Sequence, residues 1–222
     1  MRRAPARPVT LPCQNGLMVE QSLWMQKVAA DPGHSQWYIE RFRQMARAGN
    51  DLAGEARFID AMASRGARIL DAGCGPGRVA GLLSAAGHDV VGVDVDPELI
   101  EAAEHDHPGP RYLVGDLAEL DLPARGIPEP FEVIVSAGNV MTFVAPSTRV
   151  EVLRRLRAHC ADDGRTVIGF GADRDYEFDQ FLDDAATTGF AVDLLLGTWD
   201  LRPFTADSDF LVAVLRPGQR EA

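Results

Sequence analysis

A chain of 222 residues, 46% of them hydrophobic, is long enough to bury one substantial α/β core and short for two. Its formal charge of −11, from 22 basic and 33 acidic side chains, disfavours a nucleic-acid substrate, because phosphate recognition relies on Lys/Arg surfaces. The cysteines Cys13, Cys74 and Cys160 are scattered and form no C-x-x-C pair, which speaks against a disulfide scaffold or structural zinc and suits a reducing, cytoplasmic setting.

No apolar run approaches the ~20 residues of a membrane span, and the N-terminus has arginines without the apolar stretch of a secretory signal. Residues 1–17 carry Arg2, Arg3 and Arg7, no acid, and the prolines Pro5, Pro8 and Pro12, so they read as disordered or artefactual. Met18 or Met25 then competes with Met1 as the natural start. Residues 18–66 read as an N-terminal helical lid or extension. Within it, residues 35–48 form a helix, with Tyr38, Phe42 and Met45 on one face beside Ile39 and Ala46. Asn50-Asp51 looks like the cap of a second helix with Leu52, Ala56, Ile59 and Met62 on its apolar side, ended by Gly66.

From residue 67 to 222 strands alternate with helices. Ile69 to Asp71 is a short buried strand, followed by a loop with glycine at every second position (Gly73, Gly75, Gly77) and a helix with Val79, Leu82 and Leu83 on its apolar side. His88 to Asp94 is the second strand, and Asp96-Pro97-Glu98 starts the next helix with an Asp cap and Pro in its first turn. Arg111 to Val114 and Phe131 to Ser136 are strands three and four, separated by the proline-rich stretch 122–130. Ser147 caps a helix that Asp163-Gly164 stops. Thr166 to Phe170 is strand five, Tyr176 to Thr188 a further helix, and Val192 to Trp199 with Phe210 to Leu215 an antiparallel closing pair. The alternation implies α/β architecture: a seven-stranded, mostly parallel Rossmann-like sheet, covered on both faces, with an antiparallel last strand.

The glycine loop marks the site. Closely spaced glycines let the backbone adopt positive φ and leave no Cβ between main chain and ligand, while the next helix presents its first N–H groups. Gly75-x-Gly77-x-x-Ala80 fits the dinucleotide fingerprint, and Asp94 sits near the ribose offset, so an NAD-dependent oxidoreductase is one reading. Asp71 argues against it. A carboxylate immediately before the glycines would repel a pyrophosphate and favour a cationic ligand.

Leu70-Asp71-Ala72-Gly73-Cys74-Gly75-Pro76-Gly77 resembles motif I of the class I S-adenosylmethionine-dependent methyltransferases. Val93-Asp94-Val95-Asp96 resembles the acidic end of that family's second strand, Gly115-Asp116-Leu117 its strand-three acidic position, and Phe131 to Ser136 its motif IV strand. The resemblance, in register over residues 67–145, implies S-adenosylmethionine as methyl donor and S-adenosylhomocysteine as product. It implies that Asp94 takes the ribose hydroxyls with Asp96 nearby, that Val95 packs on adenine, and that Asp116 and the Leu117 N–H meet its edge. Ala72, Gly73, Cys74, Gly75 and Gly77 would lie along the methionine portion. Asp71, directly or through water, and the carbonyls near Ser136, Ala137 and Gly138 would hold the amino group. Cys74 reads as a small loop residue rather than a nucleophile.

On the acceptor side, the segment after strand four departs from the Asp/Asn-Pro-Pro-aromatic motif of nucleobase amino methyltransferases, which points to a small-molecule acceptor rather than DNA or RNA. Tyr38 and Arg41 are candidates for closing the donor site. His34, Trp37, Asn139, Arg174 and Tyr176 are candidates for contacting the acceptor, with His34 the candidate base and Phe42 and Met45 ordinary helix packing. His105, His107 and His159 read as surface positions. No His/Cys/carboxylate cluster suggests a metal. A non-catalytic cofactor-binding module of the same fold remains an alternative.

Overall fold

The computed structural model describes residues 19–218; the predicted disordered stretch 1–17 lies outside them. Seven strands form one sheet: β1 (Arg68–Ala72), β2 (Asp89–Asp94), β3 (Arg111–Val114), β4 (Phe131–Ser136), β5 (Cys160–Gly171), β6 (Phe190–Leu196) and β7 (Phe210–Pro217). Their spatial order is β3-β2-β1-β4-β5-β7-β6, and only β7 runs against its neighbours. The strands read clearly because most are apolar runs buried on both faces, the signature of a parallel sheet.

Two helical layers cover the sheet. On one face α3 (Gly54–Met62), α4 (Arg78–Ala85) and α5 (Pro97–Asp106) enclose Ile59, Ile69, Leu83 and Val135. On the other α7 (Arg149–His159) and α8 (Phe178–Thr187) enclose Leu70, Ile134, Leu153 and Phe181, preceded by the one-turn α6 (Val140–Phe143). A third, smaller core joins α1 (Leu23–Ala30) and α2 (His34–Arg47) to α5 through Trp24, Ile39, Leu99 and Ala102. No helix of the described residues is long and apolar enough to cross a membrane.

Asp96 explains how the N-terminal helices find the sheet. Its Oδ1 accepts the Glu98 N–H as the cap of α5, and its Oδ2 accepts from the Trp24 indole (2.8 Å) and the Ser35 hydroxyl (2.5 Å). One buried carboxylate thereby satisfies three donors and ties α1 and α2 to the end of β2.

Several local expectations are corrected. Helix α1 was not foreseen. Asp51 does not cap α3: its carboxylate turns back to the Ala53 N–H and pairs with Arg57, and the helix starts at Gly54. Ser147 does not cap α7 but lies in a 3-10 turn, its hydroxyl donating to Glu20. That helix stops at His159, four residues early, because Cys160 already pairs with Phe131. A bulge then carries the β4–β5 register to Val133 opposite Arg165. Gly164 makes the bulge possible, since a Cβ there would stand 2.9 Å from the Glu132 carbonyl. Leu82, expected on the buried side of α4, is 36% exposed.

Candidate functional site: an acidic cleft at the carboxyl ends of the strands

The glycine loop after β1 is fastened to β2, with the N–H groups of Gly73 and Cys74 both donating to the Val93 carbonyl. Gly73 sits at φ 84° with Val140 so close that a Cβ would fall 2.5 Å from its methyl carbons. Gly77, at φ 82°, starts α4 against Ala103 and Tyr112 with 2.7 Å to spare for the same atom. These two positions require glycine for both conformation and space.

Three carboxylates line the cleft beside this loop. Asp71 is buried and accepts the Ala80 N–H (2.9 Å) in the first turn of α4. The helix end that would receive a dinucleotide's phosphate is therefore occupied by the chain's own carboxylate. Burial pushes the Asp71 carboxyl up to about 7 against the lowering influence of Arg78. Asp94 accepts the Gly75 N–H on Oδ2 (2.8 Å) and the Asp96 N–H on Oδ1 (3.0 Å). Burial raises it to about 6, and each oxygen keeps a lone pair for a ligand. Asp116, at the end of β3, gives Oδ1 to the Ala118 N–H and is raised by partial burial.

Arg78 is the only basic residue among those lining the cleft, and Glu55 neutralises it through two hydrogen bonds of 2.8 and 2.6 Å. The site therefore presents net negative charge. Opposite stands an aromatic wall: Trp24 meets Tyr38 (centroids 5.1 Å) and Phe143 (5.6 Å) edge-on, and Tyr38 meets Phe42 at 5.0 Å. Gly75 and Gly138 face this wall. A Cβ on either would lie 3.8 or 3.9 Å from Tyr38, so their bareness keeps the cleft open. The space between loop and wall, its open mouth included, is about 910 Å³. Burial, and next the Asp94 charge, hold the Tyr38 phenol above its ordinary value, so it remains a donor at neutral pH.

Of the residues expected on the donor side, Asp71, Gly73, Cys74, Gly75, Asp94, Val95, Asp116, Leu117, Ala137, Gly138 and Tyr38 line the cleft. Ala72, Gly77, Asp96, Gly115, Ser136 and Arg41 stand behind or beside it; Asp96 anchors α1 and α2, and Arg41 lies 5.8 Å over the Trp37 ring. None of the acceptor-side candidates lines it. His34 lies against Trp24, its ring tilted by 55°, and stacks on the exposed Trp37, outside the cleft lining. Asn139 accepts the Gly171 N–H and joins the ends of β4 and β5. Arg174 is exposed in the following loop. Tyr176 is core, 1% exposed, stacked on Phe170 with its hydroxyl on Asp184. His159 is buried too, its Nε2 accepting the Leu122 N–H. Burial raises the Cys74 thiol, in keeping with an unreactive loop residue. The lining residues Ser22, Trp24, Phe42 and Arg78 were not expected in the site, Phe42 having been read as helix packing.

A family model described as a methyltransferase domain matches residues 69–164. The crystal structure of a TehB-like SAM-dependent methyltransferase from Corynebacterium glutamicum is 50% identical, covers 84% of this chain and 100% of its own, and superposes with a TM-score of 0.79. Malonyl-[acyl-carrier protein] O-methyltransferase of Pectobacterium atrosepticum is 30% identical over 47% of this chain and 40% of its own. Magnesium-protoporphyrin O-methyltransferase of Rhodobacter capsulatus is 33% identical over 49% and 48%. The chain spans less than half the length of these two curated relatives. Together with the strand order and the motif at the cleft, these likenesses identify the chain as a member of the class I S-adenosylmethionine-dependent methyltransferase family.

Proposed function

We propose that this protein transfers the methyl group of S-adenosylmethionine to a small-molecule acceptor by in-line displacement. The observation that carries the reading is the charge and lining of the cleft: three carboxylates, one cation already neutralised by Glu55, and an aromatic wall. Carboxylates and aromatic faces both favour a cationic ligand, and the residues present suit an adenosyl donor.

S-adenosylmethionine, when bound, supplies a methyl group already activated on a sulfonium. The protein's own work is alignment and exclusion of water. The free lone pairs of Asp94 accept from the ribose hydroxyls, Val95 and Leu117 border the adenine, and Asp116 offers its second oxygen to the exocyclic amine. The Gly73–Gly75 backbone and Asp71 hold the methionine portion. Trp24, Tyr38, Phe42 and Phe143 close the far side, so residues 19–66 act as the cover of the site. The acidic chain, with a formal charge of −11, supports a small acceptor over a nucleic acid, in a cytoplasmic setting.

Calorimetric titration is expected to show binding of S-adenosylmethionine and S-adenosylhomocysteine; binding of NAD alone would overturn the proposal. Release of S-adenosylhomocysteine from a panel of hydroxyl, carboxyl and amine acceptors tests turnover. Silence across the panel with donor binding intact would favour a non-catalytic module.

The raised carboxyls give the donor a pH signature. A cationic ligand favours ionised Asp71 and Asp94, so its binding expels protons wherever these groups are partly protonated. Affinity for S-adenosylmethionine is expected to rise from about pH 5 to about pH 8 and then level off, and that for the thioether product, which keeps the ammonium but lacks the sulfonium charge, to rise less. Parallel profiles for the two would show that neither carboxylate senses the sulfonium.

A further inference from the structure

Arg149 opens helix α7 and is 4% exposed. Its Nη1 donates to the Asp175 carbonyl at 2.7 Å, and its guanidinium carbon lies 4.2 Å over the Tyr176 ring. Nε and Nη2 are buried without a hydrogen-bond partner, and the described residues supply no carboxylate to pair with them. Other arginines drawn against the body of the protein are neutralised, Arg78 by Glu55 and Arg43 by Asp106. A buried guanidinium met only by a neutral carbonyl and a ring is expensive. Its place at the positive end of an 11-residue helix, where Thr148 provides no side-chain cap, raises that cost.

The backbone around it is strained as well. Of the four non-glycine residues at positive φ in the described chain, Asn139 (67°), Asp173 (57°) and Asp175 (57°) lie in the loops after β4 and β5. Such conformations collect at ligand clamps and switch segments. These loops adjoin the cleft: Gly138 and Val144 line it, and a short 3-10 turn leads from Val144 to Arg149.

We propose that Arg149 is an anion-recognition site for the methyl acceptor, latched shut in the free protein by residues 172–175, while Tyr176 stays in the core as its floor. As the loop held by the Asp175 carbonyl on Nη1 swings away, a carboxylate or phosphate group on the acceptor takes the unpartnered Nε–Nη2 edge of the guanidinium in a two-toothed pair. One neutral bond on Nη1 is given up for two charge-assisted bonds on Nε and Nη2, and charge-assisted forks are the stronger bonds. The movement also releases Asp173 and Asp175, whose exposed carboxylates leave with the loop and do not oppose the incoming charge. The term acceptor rests on the methyl-transfer reading; the anion site itself does not.

The test uses inorganic phosphate and sodium malonate as probes, titrated at constant ionic strength against sodium chloride, with the thermal midpoint as readout. The wild-type protein is expected to respond saturably, and Arg149→Met at least about tenfold more weakly. Hydrogen exchange across residues 172–175 should quicken in wild type as phosphate binds. Absence of a saturable response beyond chloride, or an equal response in Arg149→Met, would overturn the proposal. Arg149→Lys keeps the charge without the fork and decides the matter if the Met variant does not fold: a weakened response supports the paired geometry, an unchanged one refutes it. S-adenosylhomocysteine binding, measured on the same samples, separates the two readings. Its loss in wild type with the phosphate response intact would remove the donor assignment and leave the anion site standing.

Discussion

Asp94→Ala is expected to weaken S-adenosylmethionine binding by about 1.5–3 kcal/mol in calorimetric titration, the scale of hydrogen bonds to a charged group. The structure adds a second consequence. The same carboxylate accepts the Gly75 and Asp96 N–H groups, so alanine leaves two donors at the strand end without their acceptor. A lost acceptor for a buried donor costs about 1–3 kcal/mol, so the empty protein should also melt earlier. Asp94→Asn, with one carbonyl oxygen retained, should keep more of the stability than of the affinity. Unchanged affinity in the alanine variant would refute the ribose role.

Asp96→Ala is expected to have the largest effect on stability, about 3 kcal/mol or more. It removes the cap of α5, worth about 1 kcal/mol, and strands the Trp24 indole and the Ser35 hydroxyl in a buried setting. The loss should be local before it is global. Hydrogen exchange should quicken in α1 and α2 while β1, β4 and β5 stay protected, because those helices reach the sheet through the small core around Trp24 and Leu99. Donor affinity should fall with it, since Trp24 and Tyr38 belong to the cleft wall. Exchange in α1 and α2 indistinguishable from wild type would show that apolar packing alone holds them.

The contrast between these two aspartates shows what the sequence could and could not disclose. Both stand in Val93-Asp94-Val95-Asp96, and the sequence reads Asp96 as the cap of α5 without any sign of its two further donors. Asp94 points one oxygen at the glycine loop and the other at the Asp96 N–H, whereas Asp96 points at residues 72 and 61 positions earlier in the chain. The strands and the glycine loop were legible because their signals are local: apolar runs, turn residues, and glycines where φ is positive. Of the aromatic wall, Tyr38 was legible and Trp24 and Phe42 were not. Trp24, Phe42 and Phe143 come from three separate elements and meet only when the N-terminal helices dock. Helix α1 is a case in point: a short segment whose buried tryptophan is held by a distant carboxylate.

The acceptor-side candidates lie outside the cleft lining for a related reason. Tyr176 and Asn139 sit in loops where ligands approach, but Tyr176 finds the ring of Phe170 and Asn139 the Gly171 N–H, both long-range partners. His159 looked like a helix-end surface residue and instead bridges the Leu122 N–H and the Arg155 carbonyl. Arg149 went unnoticed because nothing in Pro146-Ser147-Thr148-Arg149-Val150 announces that this arginine is buried without a counter-charge.

The central claim is that the cleft holds an adenosyl donor with Asp94 on its ribose. A crystal structure of the protein with S-adenosylhomocysteine tests it most directly. The predicted result places both ribose hydroxyls in hydrogen-bond contact with the Asp94 carboxylate, the adenine beside Val95 and Leu117, and the thioether facing the wall of Trp24, Tyr38 and Phe143. An adenosyl group seated elsewhere, or a ribose with no contact to Asp94, would contradict it.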